Sequence, residues 1–301
     1  MELVLTGING SNPLGFLAAL GTTLTMREMY PGIRLSWRIG GGFWQPVVHG
    51  CTTDREAFIQ TLFSALKGAS LEPFEAERKL PFAVDFLVTK LKDAQTRGTF
   101  QDRRFADFLA AFGTEVYGDK EAFNDTSLRL VRGGDSVGQG LLAYAVTIRR
   151  SVDAAALRRT LFEIWSYQDD GPLLRWDPVD DQRYALVWNS PEDKQKKQIK
   201  SMLGANALAL ESLVLFPVIP TSKTVVTTGF HRSGRHEFFT WPIWQCPVSP
   251  DLVRSLLSIP ELHADRPNRT ELAARGIAEI YRCERIAPNK YYKNFTPGLP
   301  V

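Results

Sequence analysis

Cysteine is scarce in this 301-residue sequence: Cys51, Cys246 and Cys283 lie far apart, with no C-x-x-C pair. This argues against a disulfide framework and a cysteine-rich zinc site, and it fits a reducing cytoplasm. No apolar run approaches the length of a membrane span. The start, "MELVLTGINGSN", has no basic stretch ahead of an apolar core, so it does not read as a secretory signal. The glycine signatures of nucleotide enzymes are missing too. "GINGSNPLG" follows an extended stretch and opens a helix, where backbone N–H groups could hold a phosphate, yet it is neither G-x-x-x-x-G-K-[ST] nor G-x-G-x-x-G. "VRGGDSVGQG" lacks the spacing of a hydrolase elbow, and no order of Ser, His and Asp proposes a triad. No cofactor is expected.

What is present is an ordinary globular composition, 44% apolar and 23% charged, with a net charge of +3. The charge is uneven. Residues 190–301 hold 15 Lys/Arg against 10 Asp/Glu, and no acid occurs between Ser212 and His236. A weakly basic C-terminal half suits a polyanion, though surplus charge of this size also occurs on proteins with neutral partners.

The pattern of apolar positions predicts an α+β protein. "ELVLTG", "IRLSWRI" and "FWQPVVH" read as strands, the last two joined by Gly40 to Gly42. Helices are predicted near 13–29, capped by Ser11 or Asn12, and near 54–67, capped by Thr53 or Asp54. This β-α-β-β-α order is that of a ferredoxin-like unit without its last strand. Residues 1–110 are assigned to a ferredoxin-like lobe and 111–301 to a mixed α/β lobe with a basic hairpin and tail. In the second lobe "RRFADFLAAFGTEVY", "DAAALRRTLFEIWSYQ", "GANALALESL" and "SPDLVRSLLSIP" read as helices. "KTVVTTGF" and "EFFTWPIW" read as an antiparallel hairpin whose turn carries "HRSGRH", and "NKYYKNFTPGLPV" as irregular.

Three sets of residues could carry chemistry. His231 and His236 lie near one turn, but only Cys246 and Glu237 could support a metal there, so both read as solvated turn residues. Asp169, Asp170, Asp177, Asp180 and Asp181 could hold Mg²⁺ in a nuclease; beside Pro172 and Pro178 they also suit plain turn chemistry. The third set is basic: Lys194, Lys196, Lys197 and Lys200 on a predicted helix, Lys223, Arg232 and Arg235 on the hairpin, and Lys290 and Lys293 in the tail, interleaved with Tyr291, Tyr292 and Phe295. Basic residues among aromatics suit phosphate contact with base stacking.

"NPLGFLAALGTT", "LRWDPVDDQRYAL", "GANALALESLVLFPVIP", "TTGF" and "FTWPIW" together resemble CRISPR-associated subunits of type I effector complexes, in particular the large-subunit-like components of the type I-G (formerly I-U) group. The resemblance spans about residues 12–23 and 173–244, and none of its pieces is a catalytic signature. It implies a non-catalytic cytoplasmic subunit that contacts guide RNA, target DNA and other effector subunits, and that works with a separate helicase-nuclease. It also implies that the basic hairpin touches DNA, with Arg232 and Arg235 suited to phosphate or to guanine in a major groove. A metal-dependent nuclease using the Asp169–Asp181 cluster and a structural scaffold are the rival readings.

Overall fold

The computed structural model describes residues 1–97, 103–116, 122–131, 138–180, 200–289 and 292–301. The chain is α+β, with two main antiparallel sheets, one at each end of the sequence, and most of its helices between them in chain order. Strand β1 (Glu2–Val4) leads to helix α1 (Pro13–Met26), then to the hairpin β2 (Arg34–Gly40) and β3 (Phe43–His49), and to α2 (Arg55–Gly68). Local chemistry explains the helix starts. The Asn12 side chain accepts from the N–H groups of Leu14 (2.8 Å) and Gly15 (3.2 Å), and Pro13 fills the first position, where no N–H is needed. Asp54 caps α2 in the same way. Strand β3 lies between β1 and β2, antiparallel to both, so the three predicted strands share one sheet. Among the described residues no strand pairs with the free edge of β1.

The middle of the chain is mainly helical: α3 (Glu72–Glu75), α4 (Val84–Arg97), α5 (Arg103–Phe112), the short pair β4 (Gly113–Thr114) and β5 (Asn124–Asp125), α6 (Leu141–Ser151) and α7 (Ala154–Phe162). The helix predicted through "FGTEVY" stops at Phe112. There Gly113 packs so close to Phe123 and the Asn124 carbonyl that a Cβ would clash, and the chain switches to pairing with Asn124–Asp125. A long irregular stretch then ends in a 3₁₀ turn at Pro178–Asp180.

Helix α8 (Leu203–Ser212) is the hub, with every residue buried. Its main partner is α1. A Cβ on Gly21 would sit 1.7 Å from the Leu208 carbonyl oxygen, so only glycine lets the two backbones touch. Glu211 is the one charge on α8. Burial pushes its carboxyl up, but Arg104 and Arg149 overcome that and hold it below the ordinary range.

The second sheet is built from the C-terminal third. After β6 (Val218–Pro220) and β7 (Val225–Thr227) come β8 (Phe230–Ser233), β9 (His236–Trp244), α9 (Pro250–Leu257), α10 (Arg269–Ala274), β10 (Ile277–Asn289), β11 (Tyr292–Phe295) and β12 (Leu299–Pro300). The order is β11-β10-β9-β8, with β12 also on β10. Two expectations are corrected here. "KTVVT" pairs with β6, not with "EFFTWPIW", because Gly229 (φ +82°) turns the chain before β8 begins. The tail is not irregular: Tyr292–Phe295 and Leu299–Pro300 both return along β10.

The two sheets are joined. Leu35 and Val248 exchange backbone hydrogen bonds of 2.9 Å, and the Trp244 indole donates to the Leu35 carbonyl at 2.7 Å. Phe16, Trp37, Trp241 and Trp244 cluster where the sheets meet α1, and one set of buried apolar side chains runs from Leu3 to Phe295. Among the described residues no helix is long and apolar enough to cross a membrane.

Candidate nucleic-acid interface

Alternate residues of a strand face opposite ways, and this sorts the C-terminal sheet. One face carries Phe230 and Arg232 on β8, Trp241, Phe239 and Glu237 on β9, Cys283 and Arg285 on β10, and Phe295 and Lys293 on β11. The inner members are apolar and buried; Phe239 stacks on Phe230 at 5.0 Å and on Phe295 at 5.6 Å between ring centres. The outer members are charged and converge on Glu237. Arg285 Nη1 donates to Glu237 Oε2 at 2.6 Å, and Arg232 Nε lies 3.8 Å from Oε1. The Ser127 hydroxyl donates to Glu237 Oε1 at 2.7 Å, while its backbone N–H donates to Thr227 Oγ1 at 2.8 Å. Ser127 thereby ties β7 and β9 to the 122–131 segment. On that segment Arg129 pairs with Asp125, two residues beyond the Ser127 that bonds Glu237, and its charge is felt at Lys293.

The cluster holds more positive than negative charge: Arg129, Arg232, Arg285 and Lys293 stand against Asp125 and Glu237. Arg285 and Glu237 are both about 13% exposed, whereas Arg232 is 74% exposed and forms the rim. Partial burial and then the charges of Arg285 and Arg129 push the Lys293 amine down to about 8, with Asp125 and Glu237 pulling the other way. The Arg285 Nε–H is buried and has no acceptor among the described residues.

The structure thus places Arg232 beside Glu237 and Lys293 on the same face of the sheet. Arg235 and Lys223 stay exposed at the tips of separate hairpins. "HRS" belongs to strand β8, and the turn is only Gly234–Arg235, with Gly234 at φ +59° as a Gly-first two-residue turn requires. Lys200 pairs with Asp170. Lys194, Lys196, Lys197 and Lys290 lie outside the described residues, as does Asp181. Phe295 is fully buried and is packed in the core rather than offered to a base. Arg282 is committed to the carbonyls of Leu262 (3.0 Å) and Ala264 (2.8 Å) and to Thr240 Oγ1 (3.0 Å).

The other face of the sheet carries the histidines. His231 is not a solvated turn residue: it stacks on Phe238, its ring lies 5.4 Å from that of His263, and burial followed by Arg282 lowers it to about 4. His236 is exposed and its Nδ1 lies 2.6 Å from Glu284 Oε1. Among the described residues no group of three or more His, Cys, Asp or Glu could hold a metal ion.

The aspartates divide among different partners. Asp169 pairs with Arg159 and accepts from the N–H of Leu203 at 2.9 Å. Asp177 is buried and accepts from Asn12 Nδ2 (3.1 Å), the Tyr167 hydroxyl (3.0 Å) and the Val179 N–H (3.0 Å). Asp180 is buried beside it. Burial raises both carboxyls, and Asp177 raises Asp180 further. The two non-glycine residues with positive φ, Tyr167 (+49°) and Arg175 (+63°), flank this pair among the described residues. With Asn12 bonded to Asp177, the start of α1 already faces a carboxylate and does not suit a phosphate.

Sequence reasoning missed Ser127, Arg129, Asp125 and Glu237 as members of the basic cluster. The period-2 spacing of Glu237, Phe239 and Trp241, matched by Lys293 and Phe295, was the available signal for the strand members. No protein-family model matches the chain, and no curated protein matches it in sequence.

Proposed function

We propose that this protein is a non-catalytic nucleic-acid-binding subunit of an RNA-guided CRISPR surveillance complex. It contacts target DNA and guide RNA through the C-terminal sheet, sits among other effector subunits, and leaves cleavage to a separate helicase-nuclease. The observation that carries the reading is the excess of cations around Glu237, with Arg232 at its exposed rim and Arg235 on the adjoining hairpin tip. Phosphate contact by Arg and Lys is the sequence-independent part of nucleic-acid binding. Three free cysteines accord with the cytoplasm that such a complex occupies.

A magnesium nuclease is the weaker reading, because Asp169 is spent on Arg159, Asp170 on Lys200, and Asp177 on the donors Asn12, Tyr167 and Val179. A scaffold that uses its basic surface only on acidic proteins would need no such cluster of half-buried cations. The test is to isolate the tagged chain from its native cells and sequence the RNA that accompanies it. A discrete set of short guide RNAs of uniform length is expected; bulk cellular RNA, or none, would contradict the assignment.

A further inference from the structure

We propose that Arg129, Arg285 and Lys293 form a seat for a single phosphate group, with Asp125 and Glu237 holding the cations in place and Arg232 closing the outer rim. This inference rests on the nucleic-acid reading for the source of the phosphate, and on geometry for the seat itself.

Three observations converge. Arg285, largely buried, gives one N–H to Glu237 but leaves its buried Nε–H without an acceptor among the described residues. An unmet charged donor in a partly dehydrated place is costly, and an anionic oxygen is what relieves it. The charge count points the same way: three inner cations face two carboxylates, and each carboxylate is already engaged, Asp125 by Arg129 and Glu237 by Arg285 and Ser127. Lys293 is left as the inner cation to which no carboxylate is dedicated among the described residues. Finally, Arg285 lies on a paired strand and Arg129 on the segment pinned by Ser127, which fixes their backbones before any ligand arrives.

Lys293 gives the seat a signature that mere surface charge would lack. The groups that face it are Arg285 from β10, Glu237 from β9, and Arg129 and Asp125 from the 122–131 segment. Without a ligand its amine titrates at about 8, so it is mostly charged at pH 7 and mostly neutral at pH 9. A bound phosphate needs the charged form. Affinity therefore falls roughly tenfold from pH 7 to pH 9 through this one group.

The test uses the full chain with two probes, inorganic phosphate followed by thermal unfolding and a labelled single-stranded RNA oligonucleotide followed by anisotropy, each at pH 7 and 9. The parent should bind the RNA about tenfold more weakly at pH 9, and inorganic phosphate more weakly by less than that, because the free phosphate gains negative charge over the same range. Lys293→Gln should bind weakly at both values. Lys293→Arg, which keeps its charge throughout and reports that the fold is intact, should bind the RNA equally at both. A parent that binds phosphate with no pH dependence, or a Lys293→Gln variant that binds like the parent, overturns the seat. Phosphate binding that depends on Lys293 without any RNA binding leaves the seat standing and removes the nucleic-acid function. RNA binding that ignores Lys293 does the reverse.

Discussion

Replacing Asp180 by asparagine should stabilise the protein, and increasingly so as pH rises. Asp177 and Asp180 are buried side by side; Asp177 accepts from Asn12, Tyr167 and Val179, while Asp180 has backbone donors at Arg175 and Asp177, with the Arg175 charge opposing the rise. Asp180 Oδ2 is buried with no hydrogen-bond partner among the described residues. Burial, and for Asp180 the neighbouring Asp177 charge, raises both carboxyls. A carboxyl raised in the folded state binds a proton that the unfolded chain has released. Its contribution is complete below about pH 4, the ordinary aspartate value, and is lost as pH climbs through the raised folded value. Above that value one more buried charge must be carried, at a cost of about 1–3 kcal/mol by analogy with buried unsatisfied groups. Asp180→Asn keeps the volume and removes the charge. Urea midpoints at pH 5, 7 and 9 would show it: the variant's margin over the parent should widen as pH rises. A variant equally destabilised at all three values would mean that a counter-charge satisfies the Asp180 carboxylate, and the reasoning would fail.

Asp177→Ala should go the other way, losing on the order of 3 kcal/mol because three donors are stranded, measured by the same urea unfolding. Gly21→Ala should cost about 1–3 kcal/mol, since its methyl would overlap the Leu208 carbonyl and force α1 off α8; thermal unfolding checks it. Glu211→Ala should cost about 3–5 kcal/mol by leaving Arg149 buried without its carboxylate, seen as a fall in the urea midpoint. Mg²⁺ or Mn²⁺ should support no DNA cleavage by the purified chain; cleavage abolished by Asp177→Ala would turn the account to the nuclease.

Much of the fold was legible because local signals agreed. Asn12 with Pro13, and Asp54 with its following apolar stripe, mark helix starts by chemistry that acts within a few residues. The first three strands are short apolar-rich extended runs, and two of them carry Gly40 to Gly42 between them. Pairing was less legible. "KTVVT" and "EFFTWPIW" are adjacent in sequence and both suit a strand, and only the positive φ at Gly229 sends the first back to β6. The tail reads as loop because its prolines and glycine mask two short strands that exist through their pairing with β10.

The site was legible by residue type and not by assembly. Arg232 and Lys293 are 61 positions apart in the sequence, and what unites them is a register across four strands around Glu237. Arg129 comes from outside the sheet, held in place through Ser127. The stretches that resemble type I effector subunits proved to be packing joints. Asn12 bonds Asp177, the Trp241 indole donates to the Gly10 carbonyl, and α8 lies on α1. Such contacts hold a framework together and leave the binding surface free to vary.

The most direct test is the salt dependence of nucleic-acid binding by the full chain. Anisotropy of a labelled duplex and a labelled single strand would be followed across a range of salt for the parent, Arg232→Ala, Arg235→Ala and Lys293→Gln. The account predicts a steep fall of log affinity with log salt, and a slope shallower by roughly one for each phosphate contact removed. If Arg232 or Arg235 instead reads a base edge, its loss should cost about 1–3 kcal/mol on one flanking sequence and less on others. Parent and variants with the same shallow slope on every sequence would show that the cations around Glu237 do not meet nucleic acid, and the central claim would be wrong.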